Sequence, residues 1–338
     1  MTSFQEPTLD IVGIGNAIVD VLTHVDEHFI AQRGLRSGSM MLVDEQAARE
    51  LYNAMGPAVE VSGGSCANTV AAASSLGSSV AFVGKVAQDA LGDIFVHDLT
   101  SLGVRFDTSA AEDGPPTARC LVFVTPDGQR TMATYLGACV ELGPADIDPA
   151  VIAAGRFVYV EGYLWDPPQA RAALRHAMGI AHSAGRKVAM TLSDPFCVDR
   201  HRDEFAQLVA GPVDVLFANQ LEAERLVGVP DVWQAVTALQ GQCEIVAITC
   251  GDQGSIVVTA DTVHEIPPVR VAEVVDSTGA GDLYAAGFLH GLAAGWDLGD
   301  CARAGSAAAA EIITHIGARA ERDLGELVRI AILQGGSG

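Results

Sequence analysis

Basic residues are scarce in this sequence: Lys and Arg number 20 against 42 Asp and Glu, a formal net charge of −22 at pH 7. A field of that sign repels polyanions, which argues against nucleic acid as a partner. Any phosphate the protein handles must then be met by backbone N–H groups, a metal ion or a few placed basic side chains. An uninterrupted apolar run of about 18 residues is also missing, so no membrane span is expected. The opening MTSFQEPTLD has neither the basic nor the apolar part of a secretory signal. Seven cysteines, at 66, 120, 139, 197, 243, 250 and 301, have no CxxC spacing and cannot all pair. That pattern suits small buried hydrophobes in a reducing cytoplasm. No GxxxxGK[ST] is present, so P-loop chemistry has no support. Repeats, low-complexity tracts and linkers are absent too.

What is present is a large apolar fraction, 49% of 338 residues with 18% charged, enough for a substantial core. From about Val80 onward, short apolar runs alternate with helical stretches. VAFVG (80–84), RFVYVEG (156–162), KVAMTLS (187–193), VDVLFAN (213–219) and EIVAITC (244–250) read as strands. Helices are expected after most of them, near 89–101, after Pro167-Pro168, near 202–209 and at QLEAERLVG. This rhythm predicts an α/β fold with a doubly wound, mostly parallel sheet covered on both faces. Two segments break it. AIVDVLTHVDEHFI (17–30) with SMMLVD (39–44) reads as strands without a clear crossover helix, and 117–137 as a hairpin turned at Pro126-Asp127-Gly128. They suggest a small β-sheet lid inserted in the core.

The chemistry concentrates in three small-residue or polar elements. In DSTGAGD (276–282), Gly279, Ala280 and Gly281 lack bulk and open a helix, whose first N–H groups attract an anion. Asp282 in that first turn suits a general base beside a phosphoryl group, and equally a mere complement to the helix dipole. SGGSCANTVAAASSLG (62–77) opens a second such helix. There Gly63 and Gly64 admit a ligand to the backbone, and Asn68 can donate to and accept from a hydroxyl. Asn219 and Glu222, three apart at a strand end, suit Mg2+ held through water, or simply a capped helix start.

Together these elements resemble the ribokinase-like (PfkB) carbohydrate and nucleoside kinase family. DSTGAGDLYAAGF is similar to its C-terminal signature, GG…N to its N-terminal one with Cys66 in place of a smaller residue, and NQLE (219–222) to its Asn-x-x-Glu motif. The resemblance runs from about residue 9 to 320. It implies a core of 1–15, 46–102 and 138–334 with a lid of 16–45 and 103–137. GIGNAIVD (13–20), TLSDPF (191–196), DVLFANQLEA (214–223) and the 116–138 hairpin are most similar to the adenosine kinase branch. The implied activity is ATP-dependent phosphorylation of a ribonucleoside 5′-hydroxyl, adenosine foremost, in a cytoplasmic monomer or homodimer. A sugar kinase of the ribose or fructose class, or an inosine or guanosine kinase, is the alternative.

Carried over, Asn16, Asp20, Gly63, Gly64 and Asn68 would hold the ribose, and Leu42, Cys120, Met132, Leu136, Tyr163 and Phe196 would sandwich the base or form lid core. Asp282 would be the base, Gly279 to Gly281 the anion hole, and Arg130 a lid arginine or an ordinary surface charge. Ser193, Asn219, Thr249 and Gly251 are ATP-side candidates, with Thr191 departing from the branch's usual Asn; His315 neighbours the ATP base or is structural. Asp276 is left with a structural role or a monovalent cation such as K+. Two rival motifs are weak. GIGNAI (13–18) has Ile18 where a dinucleotide fingerprint needs glycine, and HVDEH (24–28) matches a zinc pattern that works only on a helix.

Overall fold

Val80–Val83 is buried at all four positions, as a strand covered on both faces must be. The computed structural model describes residues 6–126 and 129–335. Nine strands form the main sheet, in the order Val263–Ile266, Ser255–Val258, Ile245–Thr249, Val215–Asn219, Lys187–Thr191, Gly155–Glu161, Leu9–Ile14, Val80–Val83 and Arg105–Phe106. Ser255–Val258 pairs antiparallel with both of its neighbours, and all the other neighbouring strands pair parallel. Alternate side chains sort to opposite faces. Ile11, Phe82, Phe157 and Tyr159 enter one core, while Val12, Val83, Val158 and Val160 enter the other. Helices Ser65–Ser75, Ala280–Ala294 and Leu298–Ile312 cover the first face; Pro168–Ser183, Pro195–Val209, Gln220–Val227 and Val232–Leu239 cover the second.

Leu9–Ile14 lies between Val80–Val83 and Gly155–Glu161, so strand order reverses there. The crevice beyond the carboxyl ends of such strands is where open α/β sheets take ligands.

A second sheet of five strands runs Met40–Leu42, Arg130–Tyr135, Ala118–Val124, Ile18–His24 and Val59–Gly63. Its Val19, Val21, Leu121, Phe123 and Ala133 side chains are buried in the first core. The alternate residues, including Asp20, Cys120, Arg130 and Met132, take the other face. The hairpin of 117–137 forms as expected, although Asp127 and Gly128 of its turn lie outside the described residues.

Several expected boundaries differ. Val59–Gly63, within the stretch assigned to the core, pairs with Ile18–His24 in the small sheet. Arg105–Phe106, assigned to the lid, pairs with Val80–Val83 in the large one. The helix Glu45–Ala54, most of it in the stretch assigned to the core, packs against the small-sheet strands Ala118–Val124 and Arg130–Tyr135. Such short edge strands carry little local signal; which neighbour satisfies their backbone groups decides their sheet. A short helix, Glu27–Gln32 capped by Asp26, also follows Ile18–His24 where continuing strand was expected. Among the described residues no helix is long and apolar enough to cross a membrane.

Candidate active site

The crevice is built from the end of Leu9–Ile14. A Cβ on Gly13 would lie 2.6 Å from Cys66 Sγ, and one on Gly15 2.4 Å from Cys66 Cβ. Those two glycines make the room that fully buried Cys66 needs. Asn16 follows, and its backbone N–H (2.8 Å) and Nδ2 (2.6 Å) both donate to Glu161 Oε1. Glu161 Oε2 accepts from Cys66 N at 2.8 Å, in the first turn of Ser65–Ser75. Glu161 is 1% exposed, and burial pushes its carboxyl up to about 7 against the pull of those donors. The helix begins at Gly64, whose φ of +93° suits glycine; a Cβ there would lie 2.5 Å from Asn16 O.

The helix Ala280–Ala294 packs beside it and also starts at a left-handed glycine, Gly279 with φ +80°. Ala280 N donates back to Ser277 O at 3.2 Å, so it leaves the expected anion hole. The N–H groups of Gly279, Gly281 and Asp282 find no acceptor among the described residues. A Cβ on Gly281 would meet nothing within 4 Å, so the helix start is open on the side of that residue. Asp282 Oδ1 accepts from Ser65 Oγ (2.6 Å) and Oδ2 from Asn68 Nδ2 (3.0 Å). Burial raises its carboxyl above the usual range, while Ser65, Asn68 and Arg319 oppose the rise.

The inner face of the small sheet closes over this pair of helix ends. Asp20 registers beside Cys120, and Cys120 beside Thr134. Gly63 admits the Asp20 carboxylate, which a Cβ there would meet at 2.4 Å. Burial pushes Asp20 up to about 6, against the pull of Arg319 and Arg130. Cys120 and Met132 pack together on this face with Ile316 from the core side. Leu42, at the sheet edge, stays 59% exposed. Arg130 is no ordinary surface charge: its Nη1 pairs with Asp276 at 2.8 Å and both side chains are nearly buried. Its Nε and Nη2 are buried without a partner among the described residues. Asp276 spends its other oxygen on Thr278 N (3.1 Å), so its charge is met by Arg130.

Other expected residues are spread along the same sheet edge. Tyr163 N donates to Ser193 Oγ at 3.2 Å, and Ser193, φ +75°, is the sole non-glycine at positive φ among the described residues. Backbone strain of that kind persists where the surroundings impose it. Phe196 is 69% exposed, with the Arg225 guanidinium 5.9 Å from its ring. Leu136 is half-buried just after Arg130–Tyr135. Asn219 registers beside Thr249, and Gly251 follows with φ +58° and open space around it.

Asn219 and Glu222 form a capping box. Asn219 N and Nδ2 donate to Glu222 Oε2 (2.9 Å) and Oε1 (2.7 Å), and Glu222 N donates back to Asn219 Oδ1 (2.9 Å). Burial pushes Glu222 up to about 7. His315 Nε2 sits 3.1 Å from buried Glu311, a tie within the fold.

Glu161, Arg319 and Ser65, the last inside the SGGSCAN run, are site residues that sequence reasoning missed. The one available signal for Glu161 was a lone acid ending the apolar run RFVYVEG. Arg319 had none, since a single basic residue in a polar stretch is unremarkable.

Comparison with known proteins agrees with this geometry. The sequence model described as pfkB family carbohydrate kinase matches residues 39–323. The adenosine kinase structure from Sinorhizobium meliloti is 48% identical with a TM-score of 0.89, covering 96% of this chain and 99% of that one. A probable sugar kinase from Rhizobium etli CFN 42 is 44% identical with a TM-score of 0.90 at the same coverage. Adenosine kinase 1 of Arabidopsis thaliana is 25% identical over 334 residues, 91% of this chain and 94% of that protein.

Proposed function

Starting from the fact that the chain belongs to the pfkB family of carbohydrate kinases, we propose that it transfers the γ-phosphoryl group of ATP to the 5′-hydroxyl of adenosine, giving AMP and ADP. Family membership makes it a phosphotransferase with an alcohol acceptor and a ribokinase-like α/β fold. The observation that carries the phosphotransfer chemistry is Asp282, steadied by Ser65 and Asn68, beside N–H groups with no acceptor among the described residues.

Each Asp282 oxygen keeps a lone pair after accepting from Ser65 or Asn68. One of these takes the hydroxyl proton as the acceptor oxygen bonds to the γ-phosphorus and the bridging oxygen leaves with ADP. The bare N–H groups of Gly279, Gly281 and Asp282, with the two unspent donors of Arg130, stabilise charge on the moving group. Asn16, Asp20, Gly64 and Asn68 hold the ribose in this reading, and Cys120 and Met132 offer an apolar surface to a flat base.

Mg2+ enters as the counterion of the nucleotide. Asn219 and Glu222 are bonded to each other, and no group of three or more His, Cys, Asp or Glu side chains suited to a metal lies among the described residues. Any part these two residues take in holding the ion would therefore run through its waters.

The 48% identity to an adenosine kinase supports adenosine, while the 44% identity to a probable sugar kinase keeps a free sugar as the second reading. ADP release measured with adenosine, inosine, guanosine, ribose and fructose decides between them. Adenosine is expected to have the highest kcat/KM; ribose or fructose outpacing every nucleoside would remove the adenosine assignment and leave the kinase.

A further inference from the structure

Arg319 lies between the helices Leu298–Ile312 and Leu324–Gly335, yet its guanidinium reaches the crevice. Nη1 donates to Asn68 Oδ1. Nη2 donates to Ser62 O (2.7 Å) and to Ser62 Oγ (2.8 Å). Ser62 N and Oγ donate in turn to Asp98 Oδ2. A continuous chain of hydrogen bonds thus runs from Asp98 through Ser62, Arg319 and Asn68 to Asp282.

The direction of this chain is forced. A guanidinium only donates, so the Asn68 amide must turn its oxygen toward Arg319. The nitrogen then faces Asp282, which as a carboxylate only accepts. Asp282 alone favours the same orientation, but Arg319 fixes the amide from its oxygen side as well, so the group is held at both ends. We propose that Arg319 is a positioning residue of the phosphotransfer site, orienting the Asn68 amide so that it donates to Asp282 and tying both to the small-sheet strand Val59–Gly63.

Charge adds a second effect. Asp20 and Glu161 are close enough for the Asp282 charge to push their carboxyls up, while Cys66, Tyr159 and Tyr163, raised by burial and by the same charge, stay neutral. Arg319 is the cation acting on Asp282. Removing it raises the Asp282 pKa, so the acidic limb of the rate profile moves to higher pH.

This inference rests on Asp282 being the base, and the test separates the two. ADP release with adenosine would be followed from about pH 5 to about pH 9 for wild type and for Arg319→Lys, Arg319→Gln and Asp282→Asn, with melting temperature as a check on folding. Arg319→Gln is neutral and is expected to move the acidic limb to higher pH. Arg319→Lys keeps the charge but loses the planar fork; its limb should stay in place while plateau kcat falls about tenfold. If Asp282→Asn retained turnover, the base assignment itself would fail. If that variant were inactive while both Arg319 variants kept the wild-type plateau and limb, only the positioning role would be overturned. A lowered melting temperature with both features unchanged would also overturn it, marking Arg319 as purely structural.

Discussion

Two helices, Ser65–Ser75 and Ala280–Ala294, begin side by side at the mouth of the same crevice, each at a glycine with positive φ and no side-chain cap. By backbone chemistry both ends attract negative charge. The protein treats them differently. The first is filled from within, because Glu161 accepts from Cys66 N and stays buried. The second is left open, with unpartnered N–H groups and a clear approach over Gly281. One end is thereby a fixed part of the scaffold, and the other is available to a transferred phosphoryl group.

The sharpest way to break this contrast is at Asp282. Asp282→Asn is expected to lower kcat by about 10³-fold or more while nucleoside affinity changes only a few-fold; ADP release and a binding titration measure the two. Turnover close to wild type would remove the open end from catalysis. At the filled end the loss should be in folding instead. Gly64→Ala places a methyl 2.5 Å from Asn16 O at φ +93°, and is expected to cost about 3 kcal/mol or more in denaturant unfolding.

Glu161→Gln tests what the resident carboxylate does. One amide face would oppose the Cys66 N–H, at a cost of about 1–3 kcal/mol. The variant should also lose a pH dependence. A carboxyl raised from 4.5 to about 7 contributes stability that is fully present below about pH 4.5 and is lost as pH rises through about 7. Thermal melts across that window should therefore slope less in the variant than in wild type; parallel slopes would mean Glu161 does not titrate there.

The smallest change is Gly281→Ala. With nothing within 4 Å of the new methyl, stability should hold or improve by about 0.5 kcal/mol. kcat/KM for ATP should nevertheless fall about tenfold, because the methyl stands where an anion would approach. Unchanged kinetics would place the phosphate elsewhere.

Much of this contrast was legible beforehand, residue by residue. Gly279, Gly281, Asp282, Gly64 and Asn68 sit in two contiguous small-residue runs, each followed by an apolar helix, and the structure brings those runs together. Arg130 could be placed on a hairpin, but not against Asp276, which lies on a different loop. The Asn219–Glu222 spacing suits a capped helix start above a cation held through water, and the structure shows the capping box.

By itself the chain determines local matters: which runs alternate as strands, where glycine permits a helix to start at positive φ, and which acid stands in a first turn. Those follow from dihedral preferences and side-chain periodicity, which act over a few residues. Only the tertiary structure decides which helix end is filled and which is open. Glu161 is 145 residues from Asn16 and Arg319 is 251 residues from Asn68. A charge acquires its role from burial and from the partners it meets through space, and no local pattern encodes either.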